Sequence, residues 1–79
     1  MFKLYLDRIK VIDRLIQIKG TGTPRQLAAR LGIAERTLYE TLSVMKDRGA
    51  PILYCKTRQS YYYEERGTFS VKFMKENDN

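Results

Sequence analysis

The side chains of this sequence that could do chemistry fall into three short groups. Glu35, Arg36, Thr37, Tyr39, Glu40 and Ser43 crowd donors and acceptors into one stretch. Thr23, Arg25 and Gln26 form a second group, and Lys56, Thr57, Arg58 and Gln59 a third. None of them is equipped for catalysis. Histidine, the commonest general base and metal ligand, is absent. With the single Cys55, a zinc site has almost nothing to use. Asp7 and Asp13 lie off a shared helical face, so they do not make a carboxylate pair. No enzymatic site, metal or cofactor is expected. What remains is charge and hydrogen bonding.

Three helices must carry the first two groups. Tyr5, Ile9, Ile12 and Ile16 recur at helical spacing, which predicts a helix from about Lys3 to Lys19, stopped by Gly20. Leu4, Val11, Leu15 and Ile18 add a second apolar stripe, wider than one small core needs. Thr23 is a good N-cap, Pro24 suits the first helical position, and Gln26 completes a capping box. A helix over Pro24–Leu31 follows, with Leu27, Ala28 and Leu31 inward and Gly32 at its end. A third helix runs from about Ala34 to Arg48 on the stripe Leu38, Leu42, Met45. The first chemical group lies outside that stripe and faces outward. Gly49 and Pro51 stop the helix.

The period then changes. Ile52–Cys55 and Tyr61–Tyr63 are β-prone runs around a polar break, which makes a hairpin with Lys56, Thr57, Arg58 and Gln59 at its tip. Phe69, Val71 and Phe73 alternate along a third strand. Domain boundaries are expected at 1–74, with a flexible polar tail over 75–79. Alternate tyrosines among Tyr54, Tyr61, Tyr62 and Tyr63 are expected to pack on the first helix and across the hairpin, hydroxyls outward, in preference to stacking on bases. Cys55 reads as a half-buried strand residue.

The chain has 79 residues, with 15 Lys+Arg against 9 Asp+Glu, a net charge of +6. At this size about 63% of the surface is buried on folding, enough for one core and one domain. One cysteine allows no internal disulfide, which fits a reducing compartment. No apolar run is long enough to span a membrane, and the start turns charged too early for a signal peptide, so a cytoplasmic protein is expected. The positive surplus lies on residues 1–20, 21–33 and 51–66, whereas 34–50 balance. A basic surface of this kind suits a polyanionic partner.

The fold class read from this order is α+β, mostly α: a three-helix winged helix-turn-helix with a C-terminal β-hairpin and a third strand. Ala28, Gly32, Ile33 and Leu38 have the spacing of a compact helix pair. Leu27-Ala28-Ala29-Arg30-Leu31-Gly32-Ile33-Ala34-Glu35-Arg36-Thr37-Leu38-Tyr39, with Gly49-Ala50-Pro51-Ile52 and Ser60-Tyr61-Tyr62-Tyr63, resembles the helix-turn-helix domain type 11. That domain opens bacterial regulators of the WYL, DeoR-like and biotin-repressor kinds, and the likeness covers about residues 8–64. It implies double-stranded DNA binding and transcriptional control. The sequence departs from it where Ala34 replaces a Ser cap, and where Glu35 and Glu40 leave the third helix neutral. It also stops where such regulators continue into a sensor domain, so a small-molecule sensor is not expected.

On this reading Glu35, Arg36, Tyr39, Glu40 and Ser43 read bases in the major groove. Thr23, Arg25, Gln26, Thr37, Lys56 and Arg58 hold phosphates. The bland counterparts are a solvated helix face with an Arg36–Glu40 pair, capping alone at Thr23, and ordinary turn polarity at the tip. Leu4, Val11, Leu15 and Ile18 either pack on the third strand or pair two copies as a homodimer. A protein-interaction module, or an accessory factor of a mobile element without sequence reading, is the competing role. RNA or single strands come third.

Overall fold

The computed structural model describes residues 2–69 and 73–75, with side chains from 5 to 69. Three helices come first: α1 (Phe2–Gln17), α2 (Pro24–Leu31) and α3 (Glu35–Asp47). Four short strands follow: β1 (Ile52–Cys55), β2 (Ser60–Tyr63), β3 (Gly67–Phe69) and β4 (Phe73–Lys75). The α+β, mostly helical class and the hairpin in the wing position are as the sequence indicates.

Local signals set the boundaries. Thr23 Oγ accepts from the Gln26 amide while Gln26 Oε1 accepts from the Thr23 amide, so both halves of the capping box form. Gly32 ends α2 at φ 70°, a left-handed conformation that costs glycine little. The stop after α1 differs from expectation. Lys19, not Gly20, takes the left-handed conformation, at φ 55°. The Lys19 amide bonds the Ile16 carbonyl and the Gly20 amide the Leu15 carbonyl, which is a Schellman closure placed one residue earlier.

β1 and β2 pair antiparallel, with Ile52 opposite Tyr63 and Cys55 opposite Ser60. After Gly67 the single strand expected from Phe69, Val71 and Phe73 is two short strands. β3 and β4 pair with each other, with Gly67 opposite Lys75 and Phe69 opposite Phe73. Val71 and the tail beyond Lys75 lie outside the described residues.

One core joins these parts. Ile9, Ile12 and Ile16 of α1 meet Leu27 and Ala28 of α2, Leu38, Leu42 and Met45 of α3, and Ile52, Tyr61 and Phe69 of the strands. α1 packs chiefly on β2 and β3, while α2 and α3 pack on each other.

Asp13 sits inside the α1 apolar stripe, 6% exposed. Its carboxylate accepts from Gln17 Nε2 at 2.8 Å, the Tyr63 hydroxyl at 2.7 Å and the Phe69 amide at 2.9 Å. The Tyr63 hydroxyl therefore points inward, against the outward direction read from the sequence. The bonds join α1 to β2 and β3 at one point. Asp13→Ala removes the acceptor of the half-buried Tyr63 hydroxyl and of the buried Phe69 amide, and should cost about 3 kcal/mol in urea unfolding. Tyr63→Phe leaves Asp13 its other donors and should cost about 1 kcal/mol.

Candidate nucleic-acid interface

α3 divides cleanly into two faces. Leu38, Thr41, Leu42 and Met45 are buried. Glu35, Arg36, Tyr39, Glu40 and Ser43 are exposed, and Thr37 is half-buried. Apolar periodicity alone produces this division, because inward residues at three- and four-residue spacing leave the rest facing out. Val44, 37% exposed, joins the outward row and was not anticipated. Thr41 is held inside by donating its hydroxyl to the Thr37 carbonyl at 2.9 Å.

The start of α3 is open. Ala34 is its N-cap and offers no side-chain acceptor, so the first-turn amides lack a side-chain cap. With the helix dipole they present partial positive charge. Arg36 Nε lies 3.6 Å from Glu40 Oε2, with the side chains 90% and 65% exposed. A pair this exposed contributes little to stability and is readily exchanged for another partner.

At the start of α2 the expected phosphate ligands are unequal. Thr23 and Gln26 are each used by the capping box. Arg25 is exposed and has no side-chain partner among the described residues. Lys56 and Arg58 stand exposed at the β1–β2 tip. That tip is shaped by Gln59 at φ 53° and by the Arg58 amide directed at Cys55 Sγ, 3.5 Å away.

Of the apolar stripe expected to pair two copies, Val11 on α1 and Ile18 just beyond it are exposed at 45% and 65%, whereas Leu15 packs against the core. The Leu4 side chain lies outside the described residues. A half-open cleft of about 630 Å³ lies beside Gln17, Tyr63 and Arg66, and no expected contact residue lines it.

Tyr54, Tyr61 and Tyr63 of the hairpin pack in or against the core. Tyr54 and Tyr61 meet edge to face with ring centroids 5.0 Å apart. Tyr61 is pushed up to about 12, first by burial and then by nearby Tyr39, Tyr54 and Glu35. Its ring belongs to the same buried core as Leu38 and Leu42 of α3. Tyr63 is raised strongly, first by burial and then by the hydrogen bond to Asp13 and its charge.

A model of the bacteriophage CI repressor helix-turn-helix domain matches residues 10–76 of this chain. The chain belongs to this family. Membership makes it a DNA-binding helix-turn-helix domain of the regulator kind. It supports the helix-turn-helix reading of residues 27–39 without supporting the narrower type 11 subclass. No curated protein and no solved structure matches the chain. Among the described residues no helix is long and apolar enough to cross a membrane.

The tyrosines give a test of the packing. Their unperturbed value is near 10, and both are raised in the folded chain. The native state then holds protons that the unfolded state releases. Their stabilisation is complete below about pH 10 and falls as pH climbs from there towards about 12. Urea midpoints should be flat in this respect at pH 7–9 and drop at pH 10–11, and Tyr63→Phe should reduce the drop.

Proposed function

We propose that this domain binds duplex DNA with α3 in the major groove and the 56–59 wing along the adjacent backbone or minor groove. The observation that carries the reading is the outward row Glu35, Arg36, Tyr39, Glu40, Ser43 on a helix whose other face is fully buried. Such a row can enter a groove without disturbing the core. Arg36 is the residue suited to guanine, and Glu35 and Glu40 to cytosine amino groups. Thr37, the uncapped amides of α3, Arg25, Lys56 and Arg58 supply phosphate contacts. Thr23 and Gln26 act there through the helix terminus they cap.

A hairpin directly after α3, introduced by Gly49-Ala50-Pro51-Ile52, supports a winged arrangement like that of the type 11 domains. The role is regulation of transcription in a bacterium or its phage, in the cytoplasm where the DNA is. Val11 on α1 and Ile18 just beyond its end are exposed apolar positions where a second copy would dock for paired half-sites.

A second reading is favoured by the acids on α3. With Glu35 and Glu40 the helix carries no positive surplus, which also suits a protein-interaction module or a mobile-element accessory factor that does not read sequence.

Selection of bound sites from a random duplex pool, followed by anisotropy titration over a salt series, separates the two. DNA binding predicts that log affinity falls linearly with log salt. No binding at about 50 mM salt would sink the first reading. Lys56→Ala and Arg58→Ala should each weaken all duplexes alike and flatten the salt slope by about one. Arg36→Ala should instead cost about 10-fold on the selected site and little on random duplex. Glu40→Gln removes a negative charge from the groove face and frees Arg36, so random-duplex affinity should rise several-fold while preference for the selected site narrows.

A further inference from the structure

Thr21 and Ser60 are buried hydroxyl residues, 2% and 1% exposed, with no part in the row on α3. They meet across the core although far apart in sequence. Thr21 donates its amide to Ser60 Oγ at 3.2 Å, and the Tyr61 amide donates to Thr21 Oγ1 at 2.9 Å. The two hydroxyl oxygens are 3.1 Å apart. Each is also anchored locally, Thr21 to the Gly22 carbonyl and Ser60 to the Tyr61 carbonyl, both at 2.9 Å. Among the described residues no buried polar side-chain atom is left unpaired.

The position of this pair is informative. Thr21 lies just ahead of the cap of α2, whose first turn carries Arg25. Ser60 is the first residue of β2, paired with Cys55, and directly follows the tip that carries Lys56 and Arg58. Apolar packing would bury both points but would allow them to slide. Hydrogen bonds between buried groups fix direction as well as distance, since a displaced partner leaves a polar group unpaired.

Resting on the DNA-binding reading above, we propose that the Thr21–Ser60 pair is a positioning lock. It sets the wing tip relative to the start of α2, so that Arg25, Lys56 and Arg58 meet one DNA backbone together. Thr21 and Ser60 touch no DNA themselves and act through those three cations.

The test uses the full chain, a random-sequence duplex and backbone residual dipolar couplings. Thr21→Val keeps the shape and loses the hydroxyl, and Thr21→Ser does the reverse. Thr21→Val and Ser60→Ala should weaken binding about 10-fold, with Thr21→Ser within about 2-fold of the starting chain. In the first two, couplings from β1 and β2 should cease to fit the alignment of α2 and α3. Ser60→Ala should add nothing once Lys56→Ala and Arg58→Ala are in place, because the cations it positions are gone. A larger loss from Thr21→Ser than from Thr21→Val, or a full Ser60→Ala loss without the tip cations, overturns the lock as mere packing. Unchanged couplings in a chain that binds DNA overturn the lock alone. An unsubstituted chain that binds no duplex overturns the DNA reading, and this role with it.

Discussion

The carboxylate of Asp13 is the point at which β2 and β3 are both fixed on α1. A buried carboxylate is costly unless it is fully hydrogen-bonded, and here the donors come from three places in the chain. Gln17 is local, but the Tyr63 hydroxyl and the Phe69 amide arrive only when β2 and β3 are both seated on α1. A shifted register of β2 would turn Tyr63 to the other face and leave the charge short of a donor. The core of so short a chain is small, and apolar contacts in it are non-directional. The acid supplies the direction.

The β1–β2 hairpin shows why that direction is needed. Two strands of four residues are marginal on their own. β2 is therefore held at both ends, at Tyr63 by Asp13 and at Ser60–Tyr61 by Thr21. Between those points the alternating face of Ile52, Tyr54, Tyr61 and Tyr63 lies against the helices, with Tyr61 close to α3. Anchored at both ends, β2 is tied to α1 and to the segment just ahead of α2.

The sequence makes the helices legible because their signals are local. The Thr23–Gln26 box, Gly32 and the Gly49–Pro51 stop are each decided by residues within a few positions, and the structure places α2 at the expected residues and α3 within one residue at each end. The two-faced character of α3 follows from periodicity in the same way. Asp13, Thr21 and Ser60 escape such a reading because their partners lie far along the chain, and a polar residue with a remote partner looks solvent-facing. Asp13 left one trace, an acid among Ile9, Ile12 and Ile16 on a buried stripe. The alternation after Gly67 misled for the opposite reason: a period of two marks the face of a strand and says nothing of where that strand ends. The choice of Lys19 over Gly20 for the left-handed residue depends on where the last turn of α1 breaks, a matter of one residue that composition does not resolve.

The charge arrangement separates affinity from specificity. The positive surplus sits on α1, α2 and the wing, while α3 carries three acids, Glu35, Glu40 and Asp47, against two bases, Arg36 and Lys46. Phosphate attraction acts through the total field and tolerates any sequence, so a basic reading helix would hold every duplex nearly as well as its own site. Glu35 and Glu40 oppose that. On the proposed reading, each acid on α3 costs binding unless it meets a base donor, and the Arg36–Glu40 pair opens before either side chain contacts a base. At 90% and 65% exposure the pair is weak enough for a correct site to replace, yet its loss is uncompensated at a wrong one. On that proposed reading, an α3 with no positive surplus, flanked by cationic supports, leaves affinity to the supports and discrimination to the helix.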